Sequence, residues 1–98
     1  MATFISLVSF TQQGIRDFKD SPERVVKFKA LAQKAGATIK EVYWTLGSYD
    51  AVVILEAPDD ETATAVMLGL ALSGNVRPQT LRAFDSAEIK AIISEVPD

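Results

Sequence analysis

Apolar and polar positions follow two rhythms along this chain, and the rhythms delimit its elements. Thr3 to Phe10 (TFISLVSF) is dense in β-branched and aromatic residues and reads as a strand. Phe4, Ser6, Val8 and Phe10 fall on one of its faces, Ile5 and Leu7 on the other. A loop is expected next, holding Gly14 and the fragment Ile15-Arg16-Asp17-Phe18. Ser21-Pro22-Glu23 then opens a helix over about residues 22–35, with serine as cap and proline where no N–H is needed. Its inward stripe is Val25, Phe28, Leu31, Ala32 and Ala35, and Gly36 stands where a left-handed cap belongs.

The strand period returns in Thr38 to Leu46. After the tight connection Gly47-Ser48-Tyr49-Asp50, the nearly all-apolar Ala51 to Ala57 suits a central strand buried on both faces. Pro58-Asp59-Asp60-Glu61 starts a second helix, with an aspartate cap and acids near the positive helix end. It is expected to run to Ser73 and close at Gly74. Val76 to Phe84 is a fourth strand that Pro78 confines to an edge or bulge, and Ser86 to Glu95 a short terminal helix with Ile89, Ile92 and Ile93 on one side.

The order is β-α-β-β-α-β plus a tail, which defines an α+β, ferredoxin-like plait over residues 1–98 as one domain. Its antiparallel four-stranded sheet should place the first and third strands in the middle and both helices on one face. The opposite face would then carry either Ile5 and Leu7 or Phe4, Val8 and Phe10 from the first strand, and either Val52 and Ile54 or Val53 and Leu55 from the third, since the sheet is apolar on both sides. Such a patch is large for a monomer, so a second copy covers it, or else the tail helix or the long loop does. The second helix poses the same question. Ala63, Val66, Met67 and Leu70 point inward, but Ala65, Leu68 and Leu72 point away, and no charge occurs from Thr62 to Val76. A partner can cover that outer stripe, or the tail helix can dock on it. Gly69, in mid-helix, either admits a close backbone approach or has no role.

Composition narrows the chemistry. Among 98 residues there is no cysteine and no histidine, which removes disulfides, Cys/His zinc sites, thiol nucleophiles and the commonest acid–base residue. A net charge of −3 argues against a nucleic-acid partner, and Arg16, Arg24, Arg77 and Arg82 form no basic run. No stretch reaches the ~20 apolar residues of a membrane span, and no secretory leader is visible, so a cytoplasmic protein is expected. Asp59-Asp60-Glu61 is explained by helix-start chemistry rather than by a metal.

The Gly47-Ser48-Tyr49-Asp50 corner has an immediate structural role: glycine for positive φ, serine and aspartate bonding the turn, and tyrosine packing on the strands. With Tyr43-Trp44-Thr45-Leu46 before it and Ala51 to Asp59 after it, the segment resembles the GYD domain family, short proteins named for a Gly-x-Tyr-Asp signature. Gln13-Gly14-Ile15-Arg16, Ser21-Pro22-Glu23-Arg24, Gly74-Asn75-Val76-Arg77 and Thr80-Leu81-Arg82-Ala83-Phe84 extend the resemblance over nearly the whole chain. It implies kinship with the dimeric α/β-barrel superfamily, in which two such subunits pack open sheet faces together. It implies no particular reaction.

Tyr43, Trp44 and Tyr49 gather near one sheet end, as core or interface packing or as the wall of a pocket for a planar ligand. If Leu81 faces the helices, Arg82 stands on the open side with Thr80 and Phe84, where it binds a carboxylate or pairs with Glu56. Asp50 is a turn cap before it is a general base, since no partner stands beside it. The expected function is a homo-oligomeric binding or assembly module without a cofactor. It has room for a small molecule between sheet and partner, with Tyr43, Trp44, Tyr49 and Arg82 as candidate ligand contacts. The alternative is a small cofactor-free enzyme of oxygenase or isomerase type.

Overall fold

The computed structural model describes residues 1–98. Four strands, β1 (Ala2–Phe10), β2 (Thr38–Trp44), β3 (Ala51–Ala57) and β4 (Val76–Ala83), form one antiparallel sheet in the order β2-β3-β1-β4. The helices are α1 (Gln12–Arg16), α2 (Ser21–Lys34), α3 (Asp60–Ala71) and α4 (Ser86–Ile93). This is the ferredoxin-like plait, with the first and third strands central and Pro78 on an edge strand opposite Val8.

Register explains the core. Phe4 faces Leu55, Ser6 faces Val53 and Val8 faces Ala51, and all six are buried under α2 and α3. Phe28 and Ala32 descend from α2, and Ala63, Val66 and Met67 from α3. Ser6, with no exposure at all, shares a hydroxyl–hydroxyl bond of 3.1 Å with Thr80, so its burial leaves no orphaned polar atom.

Several boundaries differ from the sequence reading, each for a local reason. The expected loop after β1 contains the helix α1, because the Thr11 side chain accepts from the Gly14 N–H and closes a turn. Ser21 lies inside α2 and caps nothing; its hydroxyl instead accepts a bond from the Trp44 indole N–H at 3.1 Å. β2 ends at Trp44, two residues early, and its pairing with β3 slips between Ile39 and Glu41. The caps at Gly36 (φ +92°), Gly74 (φ +81°) and Asp59, whose carboxylate accepts from the Thr62 N–H at 2.7 Å, stand as expected. α4 opens with a reciprocal box between Asp85 and Glu88.

The tail helix covers neither apolar surface. None of its residues is buried, and Leu68 and Leu72 on the outer side of α3 stay 61% and 87% exposed. The Cα radius of gyration is 14.8 Å, above the about 13 Å of a compact chain of this length.

Candidate functional site

Three places stand out: the Gly-Ser-Tyr-Asp corner, the open sheet face and a cavity beneath α2. The corner is a clamp between strands. Gly47 adopts φ +117°, which turns the chain after β2. The Thr45 N–H donates to the Asp50 carbonyl at 2.9 Å, and the Thr45 hydroxyl to the Tyr49 carbonyl. Asp50 then reaches outward to β1. Its N–H donates to the Val8 carbonyl at 2.8 Å, and its carboxylate accepts the Phe10 N–H at 2.7 Å. The side chain thus extends the β1–β3 ladder one bond beyond Ala51, the last paired residue. Tyr49 directs its hydroxyl to Gln79 on β4 at 3.2 Å.

A second clamp joins two other segments of the sequence signature. The Thr11 N–H donates to the Asn75 carbonyl at 3.0 Å and the Thr11 hydroxyl to Gly74. The Gln13 amide donates to the Ser73 carbonyl and to Asn75 Oδ1. A Cβ on Gly14 would sit 2.0 Å from the Asn75 carbonyl oxygen, so only glycine fits there.

The open face holds Ile5, Leu7, Val52 and Ile54 on its two central strands, all half-buried with no element over them. Leu81 lies opposite Ile5, and Tyr43 opposite Val52; they are 45% and 54% exposed. Glu41 and Glu56 are on this side too, and Glu56 is 3.8 Å from Lys40.

Leu81 on the open face puts Arg82 on the other, opposite Phe4. The expected pairing with Glu56 is therefore not made. The Arg82 guanidinium lies 4.5 Å from the Phe84 ring centroid and 5.6 Å from that of Phe4. It donates to the carbonyls of Thr3 and Ala83 and pairs with Glu88 at 3.3 Å. Tyr43 and Trp44, being adjacent in one strand, face opposite sides of the sheet. The four candidate contacts thus divide, with Tyr43 on the open face, Tyr49 bridging to β4, Arg82 at the start of α4 and Trp44 beneath α2.

The cavity is the feature that strand alternation could not reveal. It holds about 450 Å³, partly open to solvent, between α2, the end of α3 and the helix-side face of the sheet. Phe28, Leu31, Val42, Trp44 and Leu70 are among its apolar lining, and Arg24 and Lys27 are its only charges. Arg24 lies on the same stripe as Phe28 and Leu31, four and seven residues away, so its inward placement was legible from spacing. Ser73, Asn75 and Val76, close to the second clamp, form its far end.

Both clamps lie in segments that carry the sequence signature, and a family model described as GYD domain matches residues 4–93. The chain belongs to the GYD domain family. A Thermus thermophilus protein is 36% identical over 92 residues, covering 93% of this chain and 97% of the relative. That protein is named glutamine synthetase and cystathionine beta-lyase binding protein. A crystal structure of a protein from the same species, 26% identical, superposes with a TM-score of 0.55 over 88% of this chain and 96% of that one. The GYD-domain fold is therefore shared with an experimentally determined structure. No helix is long and apolar enough to cross a membrane.

Proposed function

We propose that this GYD-domain protein is a self-associating protein-binding module. Two copies pack their open sheet faces together, and the assembly engages a metabolic enzyme. The observation that carries the reading is the open face, whose centre is Ile5, Leu7, Val52 and Ile54, with neither the tail helix nor a loop over it. Twisted sheets pack face to face through such aligned apolar surfaces, and a twofold axis lets the same patch serve both copies. Glutamate occurs on this side only at Glu41, the cross-strand neighbour of Ile54, and at Glu56, two residues along β3, so the apolar patch has an acidic flank toward β2. The outer stripe of α3, with Leu68 and Leu72, remains for a further partner.

The name of the Thermus relative supports enzymes as the partner class, glutamine synthetase and cystathionine β-lyase being the first to try. Light scattering at micromolar concentration should give a mass of at least two chains, and a clean monomer would refute the assembly. Sedimentation with each purified enzyme, from the organism that makes this chain, should show a faster-moving complex. Unchanged boundaries with both would remove these enzymes from the reading while leaving self-association intact.

A further inference from the structure

The cavity beneath α2 lies on the opposite side of the sheet from the face assigned to self-association. Its charge is one-sided. The chain carries 13 acidic residues against 10 basic ones, yet Arg24 and Lys27 line the cavity and no carboxylate does. Arg24 also holds a nitrogen in reserve. Its Nη1 donates to the Asp17 carbonyl at 3.0 Å, while Nη2 is buried and has no partner, the one side-chain polar atom of the protein in that state. A buried guanidinium N–H without an acceptor is costly, and an anionic acceptor relieves that cost best. The Ser21 hydroxyl accepts from Trp44 and Asn75 Oδ1 from Gln13, and neither is bonded to Arg24. The remaining wall is apolar and aromatic, and the volume falls within the range of small-molecule sites.

We infer that this cavity binds a small organic anion with an apolar body and a single carboxylate, the carboxylate on Arg24 and the body against Trp44, Phe28 and Leu70. A neutral molecule of the same shape leaves the Arg24 charge uncompensated, and a hydrophilic anion leaves the apolar wall uncovered. Lys27 adds positive charge on the same helix, three residues after Arg24.

The protein reports on this site itself, since Trp44 is its only tryptophan. The full chain is titrated with 4-phenylbutyrate and, separately, with 4-phenylbutan-1-ol, following Trp44 emission. The acid should give a saturable blue shift, and the alcohol, which shares its body but lacks the charge, should bind roughly tenfold or more weakly. Arg24→Met, checked for folding by thermal melting, should bring the acid down to the affinity of the alcohol. Equal affinities for acid and alcohol in the unaltered protein would overturn the inference without reference to any variant. So would an Arg24→Met protein, still folded, that binds the acid as before, or an acid titration that never saturates. Ile54→Lys, on the far face of the sheet, should bind the acid normally whatever its oligomeric state. Loss of binding there with the fold intact would overturn a site built from one chain.

Discussion

Gly14 and Gly69 both lie within helices, and only one of them is required. A methyl on Gly14 would collide with the Asn75 backbone at 2.0 Å, and neither segment can yield without breaking the Thr11–Asn75 bond. Gly14→Ala should therefore destabilise by about 1–3 kcal/mol, the usual cost of forcing extra volume into close packing. At Gly69 the added methyl meets only the tip of Leu31 at 3.5 Å, an ordinary contact. Gly69→Ala should stabilise by about 0.5–1 kcal/mol through helix propensity and a restricted unfolded chain. Chemical denaturation of the two variants checks the contrast, and two changes of the same sign would contradict it. Asp50→Ala deletes the acceptor of the Phe10 N–H and should cost about 1–3 kcal/mol, with Asp50→Asn recovering part of the loss. The Asp50 cap was legible in the sequence, but its partner was not, because the bond crosses 40 residues to another strand.

At the scale of elements, the acid-rich start of α3 was readable, whereas the Thr11 cap of α1, with the same three-residue spacing, stands in a stretch that the sequence presents as a loop. Asp59 caps α3, and Asp85 with Glu88 caps α4. Thr62, first through its side chain and then through its backbone N–H, holds the Asp59 carboxyl below its ordinary value of 3.8. The folded state thus prefers the ionised form, and the cap stabilises above the unfolded value and fades as pH falls through the folded one. Asp59→Ala should melt below the parent at neutral pH, and the gap should close progressively as pH drops beneath 3.8. A gap that keeps its neutral-pH size at the lowest pH at which both proteins still fold would contradict the cap as an electrostatic device. Ser21 shows the limit of such motifs. Ser-Pro-Glu has the composition of a helix start, but the helix begins at the serine itself, and the hydroxyl serves the Trp44 indole instead.

For the whole molecule, the consequence of the fold is a sheet with one covered face and one bare one. Ile54→Lys places a charge at the centre of the bare face, where docking would bury it. Desolvation of that charge should weaken self-association at least about a hundredfold. Circular dichroism should stay that of the parent, since Ile54 is only half-buried within one chain. Light scattering that still reports the parental mass would place the interface elsewhere, with the outer stripe of α3 the next surface to alter.

Apart from the short helix α1, the order of elements, the strand pairing and the doubly apolar sheet followed from the sequence, because a two-residue and a 3.6-residue period can each be read locally. The family signature followed as well, its glycines and aspartate standing where positive φ and caps require them. Facing was different. Two alternating sets in β4 are equally compatible with a strand, and only pairing with β1 put Leu81 on the open side and Arg82 opposite Phe4. The same alternation sent Tyr43 and Trp44 to different faces and dissolved the aromatic group that their adjacency suggested. The cavity came from tertiary structure alone. It is the space left between α2, the end of α3 and the sheet, and such a gap depends on how elements lean against one another rather than on any residue's own preference.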